Sequence, residues 1–215
     1  MRSDIRRGGA VTNAPALGAL ARELRGYGGT VLVVTNPVDL MTRRFAEVSR
    51  CARVFGIGSN LDSARYRLLL ARYAQVSPDL VRGHVIGEHG DRAVVCVSTT
   101  TVAGRPVTVP VDVVVEDLQR RPAFIRTGIG RTRCGPAGAV LSTLRKALGL
   151  LDGVEELSVP YGDVWLGIPM RFTGGTAVPC LPSLTRSERL SLDSAAGSLR
   201  GAYTQLPAPA ERITP

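Results

Sequence analysis

The sequence predicts an α/β fold in which a short parallel sheet precedes a second region of mixed strands and helices. Two apolar runs, "TVLVV" at 30–34 and "RVFGIG" at 53–58, each lead into a helical segment. Strand–helix–strand–helix alternation of this kind indicates a parallel sheet. Beyond about residue 80 the pattern changes to shorter strand-like stretches interrupted by glycine and proline. At 215 residues the chain is long enough for one large domain or two small ones.

Taken in order, residues 10–26 place Leu17, Leu20, Ala21 and Leu24 at helical spacing and end at Gly26. "TVLVV" suits a strand buried on both faces. In "TNPVDLMTRRFAEV", Asn36 is placed to cap a helix, with Pro37 in its first turn. "GIGSNL" at 56–61 follows a strand and opens a helix, as a dinucleotide-binding turn would, but Leu61 stands where the third glycine belongs. Gly56 and Gly58 are read instead as turning the chain so that the helix "NLDSARYRLLLARYAQV" projects its first residues into a site. Further on, "VRGHVI", "AVVCVST" and "RPVTVPV" read as strands, and 112–126 and 136–150 as helices. "ELSVPYGDVWLGIPMRFTGGTAVPCL" reads as several short strands broken by turns, and roughly 185–205 as a last amphipathic helix. The tail "PAPAERITP" is predicted to be disordered.

Composition narrows the function classes. A hydrophobic content of 44% is ordinary for a globular chain and excludes wholesale disorder. No apolar run approaches the roughly 20 residues needed to cross a bilayer, so no membrane partner is expected. No basic-then-apolar leader opens the chain, which predicts a cytoplasmic protein. The net charge of +9 is nearly all arginine, Lys146 being the only lysine. The arginines are spread along the length without aromatic interleaving or a nucleic-acid-binding motif, so no nucleic-acid partner is expected. Cys51, Cys96, Cys134 and Cys180 are scattered without C-x-x-C spacing and read as small buried or half-buried thiols, with no metal site.

Three motifs carry chemistry. "VIGEHGD" at 85–91 places His89, one of two histidines in the chain, in a turn near Glu88 and Asp91. Asp62 and Arg65, three residues apart, share a helix face. Alone, they are indistinguishable from a common surface ion pair. Imidazole suits proton transfer because its ordinary pKa lies near working pH. A guanidinium suits carboxylate recognition because its planar fork binds both oxygens.

"TNPVD", "NLDSAR" and "GEHGD", in that order and spacing, resemble the NAD-dependent L-lactate and malate dehydrogenases. The resemblance runs from "RSDI" at residue 2 to the last helix near 205. It implies the remnant of a parallel Rossmann sheet followed by an α+β catalytic domain like the C-terminal domain of lactate dehydrogenase. The expected division is a dinucleotide-binding remnant at 1–60, a substrate and catalytic domain at 61–205, and the tail at 206–215. The implied activity is hydride transfer between NAD and a small 2-hydroxy acid; "GEHGD" resembles the lactate type more than the malate type. His89 is then the acid/base, Asp62 holds its imidazole, and Arg65 grips the substrate carboxylate. Thr35 and Asn36 contact the cofactor, and Asn36 also the substrate. "MRSDI" resembles the end of the family's mobile substrate loop, which makes Arg2 the arginine that polarises the carbonyl. "GIGRT" at 128–132 resembles another family segment and makes Thr132 a substrate-pocket residue. The resemblance also implies a homo-oligomer. In bacterial lactate dehydrogenases, residues matching Arg67 and Arg82 hold the phosphates of fructose 1,6-bisphosphate between subunits.

The sequence departs from the family in two places. The glycine-rich turn and the ribose-reading acid of the dinucleotide half are not found, which leads to the expectation of a late start codon, a truncated gene, or a second chain supplying that half. Strand 30–34 is then expected to lie on an unpaired sheet edge. "RTRCGPAG" at 131–138 puts Cys134, Gly135 and Pro136 where larger apolar side chains are usual, and Pro136 lacks a helix N–H. A non-catalytic remnant or partner-binding subunit without its own cofactor site stays open as the alternative.

Overall fold

The structure is a computed structural model and describes residues 3–130 and 133–207. Arg2, Thr132 and most of the expected disordered tail lie outside the described residues. The chain opens with α1 (Ser3–Glu23), β1 (Thr30–Val33), α2 (Val38–Ser49), β2 (Arg53–Ile57) and α3 (Ser59–Ala74). Five short strands follow: β3 (Val81–Arg82), β4 (Val85–Gly87), β5 (Ala93–Val95), β6 (Thr101–Val102) and β7 (Arg105–Pro106). Then come α4 (Val111–Ile129), α5 (Cys134–Ala147), β8 (Gly153–Tyr161), β9 (Val164–Thr173), β10 (Thr176–Pro179) and α6 (Arg186–Thr204).

β1 and β2 pair in parallel, as the alternation predicted. They do not form a separate sheet. β2 continues antiparallel onto β8, so the order among the described residues is β1-β2-β8-β9-β4-β5, with β10 on β9. The long β8–β9 hairpin, paired from Gly153–Phe172 to Tyr161–Val164, is the backbone of this sheet. β1 lies at its edge. For that reason the expected burial of "TVLVV" on both faces is met only at Val33, while Thr30 to Leu32 are half-buried.

Two further expectations are corrected. "VRGHVI" is two strands in two sheets: β3 joins β6 and β7, and β4 joins β9 and β5. The break falls at Gly83, whose backbone lies so close to Tyr66 that a Cβ there would meet the ring at 2.7 Å. "RPVTVPV" yields only Arg105–Pro106 as strand, since Pro106 and Pro110 remove the N–H groups a longer ladder needs.

The core falls into two clusters. The larger packs Val38, Met41 and Phe45 of α2 against Ile57, Leu157, Leu166 and Phe172 of the sheet. The second gathers Tyr66 and Leu70 of α3 with Val81, Val85, Val95 and Val114. Leu61 of α3 packs against the first cluster, while Tyr66 and Leu70 belong to the second. α3 is thereby fixed on both sides, and its first turns are held rigidly.

α6 closes the molecule through a capping box. The Thr185 hydroxyl accepts from the Glu188 N–H at 3.3 Å, and Glu188 accepts from the Thr185 N–H at 2.8 Å. Glu188 also accepts from the Ser98 N–H and hydroxyl at 3.0 and 2.7 Å. Burial opposes its charge, but these donors outweigh it and hold its carboxyl below the ordinary value. Thr185→Ala should therefore cost about 1–2 kcal/mol in urea unfolding. An unchanged midpoint would show that the box does not anchor α6.

Candidate active site

The turn "GIGSN" sets the site. Gly58 is the N-cap of α3, with φ −170° and ψ −67°, and a Cβ on it would meet the His89 ring at 2.6 Å and Val38 at 2.8 Å. The glycine is required by close approach of the imidazole. The turn is packed on His89, and Gly58 serves that close approach. Gly56 is equally tight, against Thr42 and Ser158.

α3 then docks on β4 through Ser63. Its hydroxyl donates to the Val85 carbonyl at 3.2 Å and accepts from the Val85 N–H at 2.8 Å. That clasp sits one residue after Asp62 and four before His89. It brings Asp62 Oδ2 to 2.6 Å from His89 Nδ1, with the two side chains only 11% and 13% exposed. A carboxylate facing Nδ1 accepts a hydrogen bond from its N–H, which favours the tautomer with the proton on Nδ1 and leaves Nε2 as the atom open to proton exchange. Arg65, one turn on, donates to Asp62 Oδ1 at 3.3 Å and is 10% exposed. This is not the solvated surface pair that the motif alone allowed.

A second aspartate holds the turn. Asp39 Oδ2 in the first turn of α2 accepts the His89 backbone N–H at 2.8 Å across 50 residues. Asp39 is 3% exposed. Burial pushes its carboxyl up to about 6, against the lowering effect of the Ser158 hydroxyl and the His89 amide. The residue stands in the quoted "TNPVD" but sequence reasoning gave it no role. Nothing local signals a pairing at that separation; the acidic residue in a helix's first turn reads as an ordinary dipole partner. Ser63 and Ser158 were missed for the same reason.

Thr35 and Asn36 lie exposed just beyond the C-terminal end of β1, where open parallel sheets present ligands. Asn36 does not cap α2. The N-cap is Pro37, with no side-chain hydrogen bond, and the Asn36 carbonyl accepts from Asn13 at 2.8 Å. The Asn36 side chain is therefore not committed to the helix. Pro136 occupies the third residue of α5, where its missing N–H has no helical partner to lose, so α5 is regular. Cys134 is exposed, contrary to the expectation for the thiols, because it opens α5 at the rim of a cavity.

Arg67 donates to Glu156 and to the Gly83 carbonyl, both at 3.1 Å. The other histidine, His84, contacts the same Glu156 oxygen through Nδ1 at 2.6 Å. Arg82 donates to the carbonyls of Asp79 and Val81 at 2.5 and 3.2 Å. Among the described residues there is no cluster of His, Cys, Asp and Glu able to hold a metal, and no helix long and apolar enough to cross a membrane.

Residues 59–127 match the family model of the lactate/malate dehydrogenase α/β C-terminal domain. A malate dehydrogenase of Halobacterium salinarum is 32% identical over 208 residues, covering 90% of this chain and 68% of that protein. The chain belongs to the lactate/malate dehydrogenase family. An L-2-hydroxycarboxylate dehydrogenase (NAD(P)(+)) of Methanocaldococcus jannaschii is 34% identical over 179 residues, which is 75% of this chain and 57% of that protein. The solved L-lactate dehydrogenase of Clostridium thermocellum superposes with a TM-score of 0.86 at 25% identity, covering 95% of this chain and 75% of that one. This family member thus spans between little more than half and about two thirds of the length of these two sequence relatives. The mixed sheet and the helices around it are the family's fold.

Asp39 yields a pH signature. Its folded-state value near 6 exceeds the ordinary 3.8, so the native state binds this proton more tightly than the unfolded chain does. Stability from this group is then present at low pH and lost as pH rises from about 4 to about 6. Asp39→Asn does not titrate, so variant stability minus parent stability should rise by about 3 kcal/mol across that window and stay flat above it. Urea unfolding at a series of pH values measures this; a constant difference would contradict it.

Proposed function

We propose that this chain carries the substrate-binding and acid/base site of an NAD-dependent 2-hydroxyacid dehydrogenase. The single observation behind the reading is the buried Asp62–His89 contact at 2.6 Å, with Arg65 on the other oxygen of the same carboxylate. The reaction balances as 2-oxo acid, NADH and a proton giving 2-hydroxy acid and NAD.

His89 supplies the proton. With Nδ1–H hydrogen-bonded to Asp62, protonated Nε2 donates to the carbonyl oxygen in reduction, and unprotonated Nε2 takes the hydroxyl proton in oxidation. Asp62 favours the imidazolium and keeps the ring aimed. Arg65 binds the substrate carboxylate through its fork, and its contact with Asp62 ties substrate position to the acid/base pair. The resemblance of "MRSDI" and "GIGRT" to family segments supports a carbonyl-polarising role for Arg2 and a pocket role for Thr132. The nicotinamide cofactor, when bound, supplies or accepts the hydride. Thr35 and Asn36, exposed at the end of β1, are placed to meet its nicotinamide end.

His89→Ala should lower kcat with NADH and a 2-oxo acid by about 10²-fold or more. Near-parental kcat would end the assignment. Arg65→Lys keeps the charge without the fork, so KM, and the dissociation constant of the 2-oxo acid measured by calorimetry, should rise at least about tenfold. Equal values in parent and variant would remove Arg65 from substrate binding.

A further inference from the structure

A cavity of about 460 Å³ opens beside Arg65, walled by α3, α4, the N-terminal half of α5 and Glu155 of β8. Its lining on α3 runs from Asn60 to Leu68, or about 12 Å along the helix axis. The volume is in the range of sites for ligands much larger than a three-carbon acid. Leu61, Leu68 and Ile125 make part of the wall apolar. Three lining arginines are not used by the proposed chemistry: Arg67 of α3, Arg121 of α4 and Arg133 at the N-cap of α5.

The charge in this cavity is uneven. Glu155, the carboxylate in the lining, is matched by Lys146 at 2.6 Å and accepts from Asn60 at 2.9 Å. Arg67 is matched by Glu156, and Arg65 by Asp62. Arg121 has only a loose contact with Asp117, at 3.8 Å and with both side chains partly exposed. At that distance Asp117 Oδ2 makes no hydrogen bond, so the guanidinium of Arg121 keeps donors for a closer acceptor. No carboxylate pairs with Arg133 among the described residues. The first turn of α5 has no side-chain cap, so its Cys134 and Gly135 amides add to the positive field at the same wall. A pocket for the methyl group of lactate needs none of this.

We propose that Arg121 and Arg133 read a second, distal anionic group. The substrate is then a 2-oxo or 2-hydroxy acid whose apolar spacer ends in a carboxylate, a dicarboxylate of about five or six carbons. The proposal rests on the reading that Arg65 takes the carboxylate next to the reacting carbon. The spacer lies on the leucine and isoleucine wall, and the distal carboxylate replaces Asp117 at Arg121.

The test compares 2-oxoadipate with 2-oxohexanoate, which have the same number of carbons and differ in the terminal group. Dissociation constants are measured by calorimetry, and kcat/KM with NADH where turnover is present. The parent should prefer the dicarboxylate by about tenfold or more. Arg121→Gln and Arg133→Gln should each shrink that ratio, and the double variant should bring it near one. Arg121→Lys should keep part of it, since the charge remains. A parent with no preference, or variants that keep the ratio, would overturn the proposal while binding of both acids leaves the dehydrogenase reading standing. This is also the outcome if a second copy of the chain covers the cavity. If neither acid binds, or Arg65→Lys leaves both affinities unchanged, the dehydrogenase reading falls and the proposal with it.

Discussion

His89 is held at two atoms by two buried carboxylates from distant parts of the chain. Asp62 takes its ring Nδ1 and Asp39 takes its backbone N–H, across 27 and 50 residues. One aspartate fixes the orientation of the ring and the other the position of the turn that bears it. The rest of the site follows from this pair. Gly58 is small because the ring lies against it, Ser63 clasps β4 so that Asp62 arrives at the right height, and Arg65 shares the Asp62 carboxylate. The proton-transfer role proposed for His89 needs such restraint, because misplacement by about 1 Å costs orders of magnitude in rate.

The restraint is costly for the fold. A carboxylate as buried as Asp39 loses its hydration, and burial is the largest influence on its pKa. The His89 amide and the Ser158 hydroxyl recover only part of that. Stability is thus spent at the site where geometry matters most, and the large β8–β9 hairpin with its two flanking cores supplies the support. Polar networks elsewhere follow the same economy in a more complete form: Glu155 is met by Lys146, Ser142 and Asn60 together.

Much of this was legible in the sequence because it is local. The parallel β1–β2 pair, the helices around them, and Asp62 with Arg65 on one helix face all follow from periodicities of a few residues. His89 stood out through its turn of glycines and through its order relative to "NLDSAR". What was not legible is long-range. The pairing of β2 with β8 spans a hundred residues and leaves no periodic trace in either strand. Asp39 looked like a helix-start acid, and Asn36 like a cap, because both judgements used only the next few positions. The split of "VRGHVI" depends on Tyr66 pressing on Gly83, a tertiary contact that overrides a run of strand formers.

The most direct test of the Asp62–His89 couple is the tautomer of His89, read from ¹⁵N chemical shifts and two-bond couplings of the imidazole in solution. With only two histidines in the chain, both rings can be assigned from single substitutions. The account predicts that neutral His89 carries its proton on Nδ1, and that Asp62→Asn shifts the equilibrium toward Nε2–H. A parent protein whose neutral His89 is protonated on Nε2, with no response to Asp62→Asn, would contradict it.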